Sequence, residues 1–473
     1  MTIKRNFIYN LILTLSTYVA NFILFPYVSR ILGVEQFGVI GFAKQTVAFF
    51  ILFATLGIGI VGVREIAVCG DDMKRRTQVF SSLVTLSVIT TLITSIVYVG
   101  AIFTIPKMHD NLPLMLVGLS HLIFNTLLFE WFFRGIERFR YISLCSISIK
   151  IIYVISTFIF VKTAEDCIVY FALTCGTVVL NALINIVYIR KWVGFSLSDI
   201  HLGNYIKPVL RTGSYAIITS MYTTFNVIYL GLVNSDTQVG YYFAATKIYM
   251  IILGIYTAFS NVMFPRMSQL IARHDDTNIN RNLNISFDIL LMFAYPIIAF
   301  CIIMCPELII LLSGSGYEGA IVPMQIIIVL LLVVGICQII VMQIIIPRNE
   351  DNALLKASII GACVGITCNI LLVKHFGAIG SAVVLLVSEL SVFAFYATYL
   401  HRAHIFDIPY RKIIKQAVAG IPYVLICLGC SILDTHIILR LAISAVSCAG
   451  YFAVLQLFIL KTPAVRRLIG FDR

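Results

Sequence analysis

The sequence predicts an all-α polytopic membrane protein. About fourteen transmembrane helices form two six-helix lobes in a parallel pseudo-twofold repeat, followed by two C-terminal helices. Three observations lead there. Of 473 residues, 60% are hydrophobic and only 12% charged, against roughly 25% charged in an average soluble domain. With a mean hydropathy of +0.99, the chain has too little polar surface to cover a soluble globule of its size. Apolar runs long enough to cross a bilayer recur along the whole length, and basic residues fall alternately into rich and poor loops.

The apolar segments cover 9–30, 37–63, 79–103, 112–133, 141–161 and 167–189 in the first lobe (1–190). A more polar link, 191–211, carries Lys191, Lys207 and Arg211 just after Arg190. In the second lobe (212–400) the segments are 212–233, 238–264, 285–312, 320–346, 354–373 and 378–400. The last region, 401–473, holds segments 417–433 and 437–460 and a cytoplasmic tail. At about 20 residues per span, these leave only short connections and no soluble domain. The start of the chain, a short basic stretch before an apolar run, looks like a signal peptide. The run is too long and lacks a small-x-small cleavage site before Arg30, so it is read as the retained first span.

Placing alternate loops on opposite sides assigns 26 of the 34 Lys and Arg residues to one side. Five lie on the other (Arg30, Lys107, Lys162, Lys374, Arg440), and Lys44, Lys150 and Lys247 fall inside apolar runs. The basic side is cytoplasmic by the positive-inside rule, which puts both termini in the cytoplasm. The asymmetry holds at every loop, as an even number of spans requires. The net charge of +12 therefore records topology and is no sign of nucleic acid.

Twelve cysteines lie mostly within spans. None has metal-ligand spacing, and even Cys427 and Cys430, a C-x-x-C pair inside an apolar helix, read as small buried hydrophobes. No cofactor motif is present.

A shift of 202 residues lays the first two spans on the seventh and eighth. Tyr27 meets Tyr229, Gln36 meets Gln238, Gly38 meets Gly240, Ala43 meets Ala245 and Arg64 meets Arg266. Span 7 keeps the orientation of span 1, so the repeat is parallel, and two lobes enclosing a central cavity would suit alternating access.

Charged side chains inside a bilayer are costly and usually face protein, water or ligand. Lys44 and Lys247 stand at nearly the same depth in corresponding helices, suited to an anionic phosphate or pyrophosphate; the structural alternative is snorkelling or a nearby carboxylate. Lys150 reads as a structural pair or snorkel. Glu130 and Arg134 have i, i+4 ion-pair spacing. Asp288, which begins span 9, and Glu389, near the middle of span 12, are the candidate coupling carboxylates; Glu389 is the best single one, with a buried, protonated, hydrogen-bonded Glu as its structural alternative. Asn21, Tyr27, Asn226, Tyr229, Tyr241 and Tyr242 could contact sugars, or serve as packing and interface residues.

At Phe25-Pro26-Tyr27-Val28-Ser29-Arg30-Ile31-Leu32-Gly33 and Glu35-Gln36-Phe37-Gly38, the chain resembles the polysaccharide flippases of the MOP superfamily (the O-antigen, Wzx type). Gly57-Ile58-Gly59, Gly62-Val63-Arg64-Glu65 and Glu130-Trp131-Phe132-Phe133-Arg134-Gly135 fit the same pattern. The resemblance implies a two-lobed, V-shaped transporter in the bacterial cytoplasmic (inner) membrane. It would move undecaprenyl-pyrophosphate-linked oligosaccharide to the periplasmic leaflet, coupled to a proton or monovalent-cation gradient, alongside polysaccharide polymerase and assembly proteins. Related lipid II flippases carry an Arg-x-x-Gly element ending span 1, which Arg30 to Gly33 matches, and basic residues in spans 2 and 8, where Lys44 and Lys247 stand. Arg30, Lys44 and Lys247 are thus the implied pyrophosphate ligands. Many O-antigen members have twelve spans, so fourteen leaves the branch open between these and the lipid II or teichoic-acid precursor flippases.

A multidrug or toxic-compound exporter of the same superfamily is the nearest rival, though pumps for organic cations favour acidic cavities. A membrane glycosyltransferase or O-antigen polymerase would need a sizeable outer loop, and here loops such as 234–237 are a few residues long.

Overall fold

The computed structural model describes residues 3–196 and 200–459, with side chains from residue 8 to 457. The C-terminal tail and the two basic side chains before residue 6 lie outside the described residues. Every regular element among the described residues is helical, as a bilayer without water demands of any backbone that crosses it. Eleven of the helices are long and apolar enough to span, or twelve when a bent pair counts as one.

The difference from fourteen rests on two very long elements. The first helix, α1 (Ile3–Thr55), has 53 residues, about 80 Å at 1.5 Å per residue against a membrane of about 40–45 Å including headgroups. It bends at Gly33, whose φ of 70° is left-handed and suits a residue without a Cβ. The expected spans 1 and 2 meet at this bend. In the second, the break is at Gly377 (φ 53°), inside the continuous stretch that holds expected spans 11 and 12.

The chain divides into two compact units, Met1–Gly240 and Tyr241–Arg473. In the first, α1 is followed by α2 (Ile58–Cys69), α3 (Met73–Thr104), α4 (Pro106–Asp110) and α5 (Leu112–Asn125). Then come α6 (Glu130–Gly135), α7 (Phe139–Phe160), α8 (Cys167–Ile189), α9 (Gly203–Ser220) and α10 (Thr224–Val233). Span 2, expected to reach residue 63, is interrupted at Leu56 (φ 42°) and Gly57. There α1 passes so close to α9 that a Cβ on Gly57 would stand 2.6 Å from the Val209 carbonyl oxygen. The bent pair α9 and α10, the counterpart of expected span 7, belongs to this unit.

Span 4 is also broken, at a 3-10 turn (Thr126–Leu128) and a left-handed Phe129. Asn185 of α8 donates to the freed Leu128 carbonyl (2.6 Å) and accepts from the Tyr141 hydroxyl (2.7 Å). A neighbouring helix thus supplies the partner that the bilayer cannot. Phe80, Phe129, Phe132 and Phe133 pack around this break.

The second unit contains most of α11 (Asp236–Ala272), then α12 (Asp276–Ile303), α13 (Cys305–Ser313), α14 (Ile321–Ile328) and α15 (Leu330–Ile340). It ends with α16 (Asp351–Cys368), α17 (Lys374–Arg402), α18 (Tyr410–Ala419), α19 (Ile421–Ser431) and α20 (Ile437–Val454). The last two helices pack on α12 and α13 through Tyr423, Cys427, Leu441 and Cys448. Arg440 of α20 pairs with the buried Glu307 of α13 at 2.9 Å. Cys427 and Cys430 are both buried, and the Cys427 sulfur lies 3.5 Å from that of Cys448.

Candidate functional site

In the first unit, the bend at Gly33 starts a tightly packed segment. A Cβ on Gly38 would collide with the Asp236 carbonyl and lie 2.8 Å from the Gly240 nitrogen, and one on Gly240 would collide with the Val34 carbonyl. Gly38 and Gly240 are the pair matched by the 202-residue repeat. Close by, Lys107 of α4 holds the Asp236 carboxylate at 2.6 Å with both side chains about four-fifths buried. This ion pair joins two segments 129 residues apart, and no local spacing announces it.

Lys44 stands two turns beyond Gly38 on α1, half-buried. Its ammonium makes no hydrogen bond or ion pair with the described residues. It lies within electrostatic reach of His121 on α5 and Cys175 on α8, whose Nδ1 and Sγ are 4.0 Å apart. A lone His in an apolar span is the one sequence signal for this group, and only packing reveals that it stands near Lys44. Arg30 is exposed three residues before the bend.

The aromatic and amide candidates of this unit divide. Tyr27 donates its hydroxyl to the Val161 carbonyl (2.7 Å) and packs its ring on Phe158, fastening α1 to the end of α7. Asn21 is exposed. Asn226 is fully buried in α10, one turn before Tyr229, whose ring lies 6.2 Å from Phe225. Glu130 accepts from Arg134 at 3.2 Å, the local pair that its spacing predicts.

In the second unit, Lys247 is half-buried on α11 with its ammonium 5.1 Å from the Phe243 ring centre, a cation-π distance. Tyr242 is buried, and the Tyr241 ring lies against Gly319. Asp288 of α12 pairs with Lys412 of α18 at 3.0 Å, and the same ammonium bonds Asn284. Glu389 is half-buried on α17, within electrostatic reach of Tyr249 and Cys337, and makes no ion pair with the described residues. Among those residues, no three His, Cys, Asp or Glu side chains converge as metal ligands do.

Lys44 in the first unit and Lys247 in the second are each half-buried cations within apolar helices, a placement usual for charges that face protein, water or ligand. Two curated proteins, each named "Putative O-antigen transporter", are similar in sequence. That of Escherichia coli (strain K12) is 25% identical over 400 residues, covering 82% of this chain and 94% of the relative. That of Shigella dysenteriae is 24% identical over 395 residues, covering 83% and 98%. Among solved structures, the lipid II flippase MurJ in its inward closed conformation superposes with a TM-score of 0.72. It is 13% identical, and the match covers 96% of this chain and 99% of MurJ. An inward-facing multidrug resistance MATE family transporter of the MOP superfamily gives 0.61 at 16% identity, over 85% and 96%. These likenesses establish the fold as one shared with polytopic helical transporters. The sequence profile of the polysaccharide biosynthesis protein family matches residues 3–271, more than half of the chain, and the protein belongs to that family.

Proposed function

We propose that the protein is a flippase of the inner membrane, with both termini cytoplasmic. It moves undecaprenyl-pyrophosphate-linked oligosaccharide, such as an O-antigen or capsule repeat unit, from the cytoplasmic to the periplasmic leaflet by alternating access. Family membership over residues 3–271 carries this reading. The names of the two curated relatives support the cargo class, and a half-buried Lys44 without a carboxylate partner supports an anionic cargo.

The physical demand is modest. The isoprenoid tail stays in lipid, where each buried CH₂ is stabilised by about 0.8 kcal/mol, while the pyrophosphate and sugars need a hydrated, cationic route. Arg30, Lys44 and Lys247 bind the pyrophosphate, and Asn21, Tyr229 and Tyr241 offer polar and aromatic contacts to sugars. No covalent step occurs, so the protein is a transporter and not an enzyme. Glu389 is the carboxylate proposed to couple transport to a proton or monovalent-cation gradient, since Asp288 already holds Lys412.

The fold shared with MurJ supports a second reading, a flippase for lipid II or a teichoic-acid precursor. Both readings predict an anionic lipid-linked cargo, whereas a drug exporter would take organic cations. Flipping of a fluorescent lipid-linked oligosaccharide in proteoliposomes separates them when lipid II and a cationic dye are supplied as competitors. Full activity in the R30Q, K44Q and K247Q variants alike would remove the pyrophosphate assignment.

A further inference from the structure

The cytoplasmic half of α1 has two exposed faces of opposite character. Ile8, Ile12, Leu15, Val19 and Phe22, all 44–55% exposed, repeat at the four-and-three spacing of a single helix face and form an ordinary lipid-facing stripe. Asn10, Thr14, Thr17 and Asn21 repeat at the same spacing, about 200° away round the helix at roughly 100° per residue. Asn10, Thr17 and Asn21 are exposed, and Thr14 is half-buried. The threonine hydroxyls donate back to the Asn10 and Leu13 carbonyls (2.9 and 3.1 Å). The Asn10 and Asn21 amides make no side-chain hydrogen bond with the described residues, and an exposed unsatisfied amide is costly in hydrocarbon. This second face therefore meets water.

Lys150 of α7 stands beside the polar face. Its ammonium bonds Thr17 Oγ1 at 2.6 Å, with longer contacts to Ser16 Oγ (3.4 Å) and the Leu13 carbonyl (3.5 Å). All three acceptors are neutral. Among the described residues no carboxylate lies within ion-pair distance, and the acidic side chain nearest in electrostatic terms, Glu130, is already paired with Arg134. Lys150 lies ten residues past Arg140, about 15 Å into a hydrocarbon core of about 30 Å. These contacts satisfy hydrogen bonds without neutralising the charge, and a net cation at that depth is expected to face water or an anion.

We propose that Lys150, positioned by the Ser16 and Thr17 oxygens, whose own protons go to the Leu13 carbonyl, is a phosphate-binding station for a lipid-linked headgroup on the cytoplasmic half of the pathway, and that the Asn10–Asn21 face carries its sugars. The inference rests on the flippase reading and adds a site separate from Lys44, which lies about 10 Å from the opposite end of its span. The ligand is the phosphate of a membrane-anchored glycolipid; inorganic phosphate serves as the control that distinguishes a free anion.

Two measurements test it. Single cysteines at Asn10, Thr17 and Asn21 should react with a membrane-impermeant cationic thiol reagent in inside-out vesicles, while those at Ile12 and Val19 should not. Lipid-linked oligosaccharide, but not inorganic phosphate, should slow the reaction of T17C. In proteoliposomes, K150Q should raise the half-saturating concentration of fluorescent lipid-linked oligosaccharide by about tenfold or more, and K150R should restore most of it, as expected for a charge-assisted phosphate contact. Equal reactivity of the two faces, or wild-type half-saturation in K150Q, overturns the proposal while leaving the flippase reading intact. A wild-type protein that flips no lipid-linked oligosaccharide overturns both. If K150Q fails to fold, substrate protection of T17C decides alone.

Discussion

Gly38 and Gly240, 202 residues apart and matched by the internal repeat, lie against each other: a Cβ on Gly38 would stand 2.8 Å from the Gly240 backbone nitrogen. The repeat-related segments of α1 and α11 thus meet backbone to backbone. Both positions exclude a side chain because each also faces a carbonyl oxygen, of Asp236 and of Val34 respectively.

A methyl group at this contact has no room to relax. G38A should lower the thermal midpoint of the detergent-solubilised protein, with a loss of about 1–3 kcal/mol typical of overpacking. G59A should leave it nearly unchanged, because a Cβ there meets nothing within 4 Å.

The Lys107–Asp236 pair should behave as a coupled unit. K107M and D236N each leave a largely buried charge without its partner, and each should destabilise more than the K107M/D236N double variant. A double-mutant cycle on thermal midpoints should give a coupling energy of about 1 kcal/mol or more. Additive effects would mean that the 2.6 Å contact contributes nothing.

Lys44 should separate stability from transport. An ammonium without a carboxylate partner within a span costs stability, so K44Q should retain or raise the thermal midpoint while cutting flipping rate by about tenfold or more, as loss of a charge-assisted contact implies. A variant that unfolds more readily and flips normally would reverse the assignment.

The left-handed glycines predict topology. Single cysteines at Glu35 and His375, each two residues from Gly33 or Gly377, should both be labelled from the periplasmic side of intact spheroplasts. Tags at both termini should be accessible only after lysis. Labelling of just one cysteine would mean that one long element does not reverse direction in the membrane.

Asp275 caps α12 outside the spans. Its carboxylate accepts from the Asn278 side chain (2.7 Å) and backbone (3.2 Å), which holds its pKa below the usual carboxylate value. A depressed folded pKa contributes stability above the unfolded value, and that contribution is lost as pH falls through the folded value. D275A should therefore lower the midpoint at pH 7, and its difference from wild type should narrow as pH falls below about 4.

Properties that depend on local order were legible in the residues. Hydropathy marked the apolar segments, loop charges suggested their orientation, and the Glu130–Arg134 spacing announced a pair one helical turn apart. The EQFG and TQVG segments carried the repeat. Hydropathy could not show the breaks at Leu56 and Phe129, because the residues there are as apolar as their neighbours and the left-handed geometry is held by packing.

What only the tertiary structure decided is which charges are already satisfied. Asp288 and Glu389 are both carboxylates within apolar segments in the sequence, yet a lysine 124 residues away holds Asp288 at 3.0 Å. Lys44 and Lys150 both read as intramembrane cations, but Lys150 rests on hydroxyls 133 and 134 residues distant. The physical reason is one of range. Helix formation and membrane insertion are set by residues within a turn or a span, whereas the electrostatic state of a buried charge depends on whichever helix packs against it.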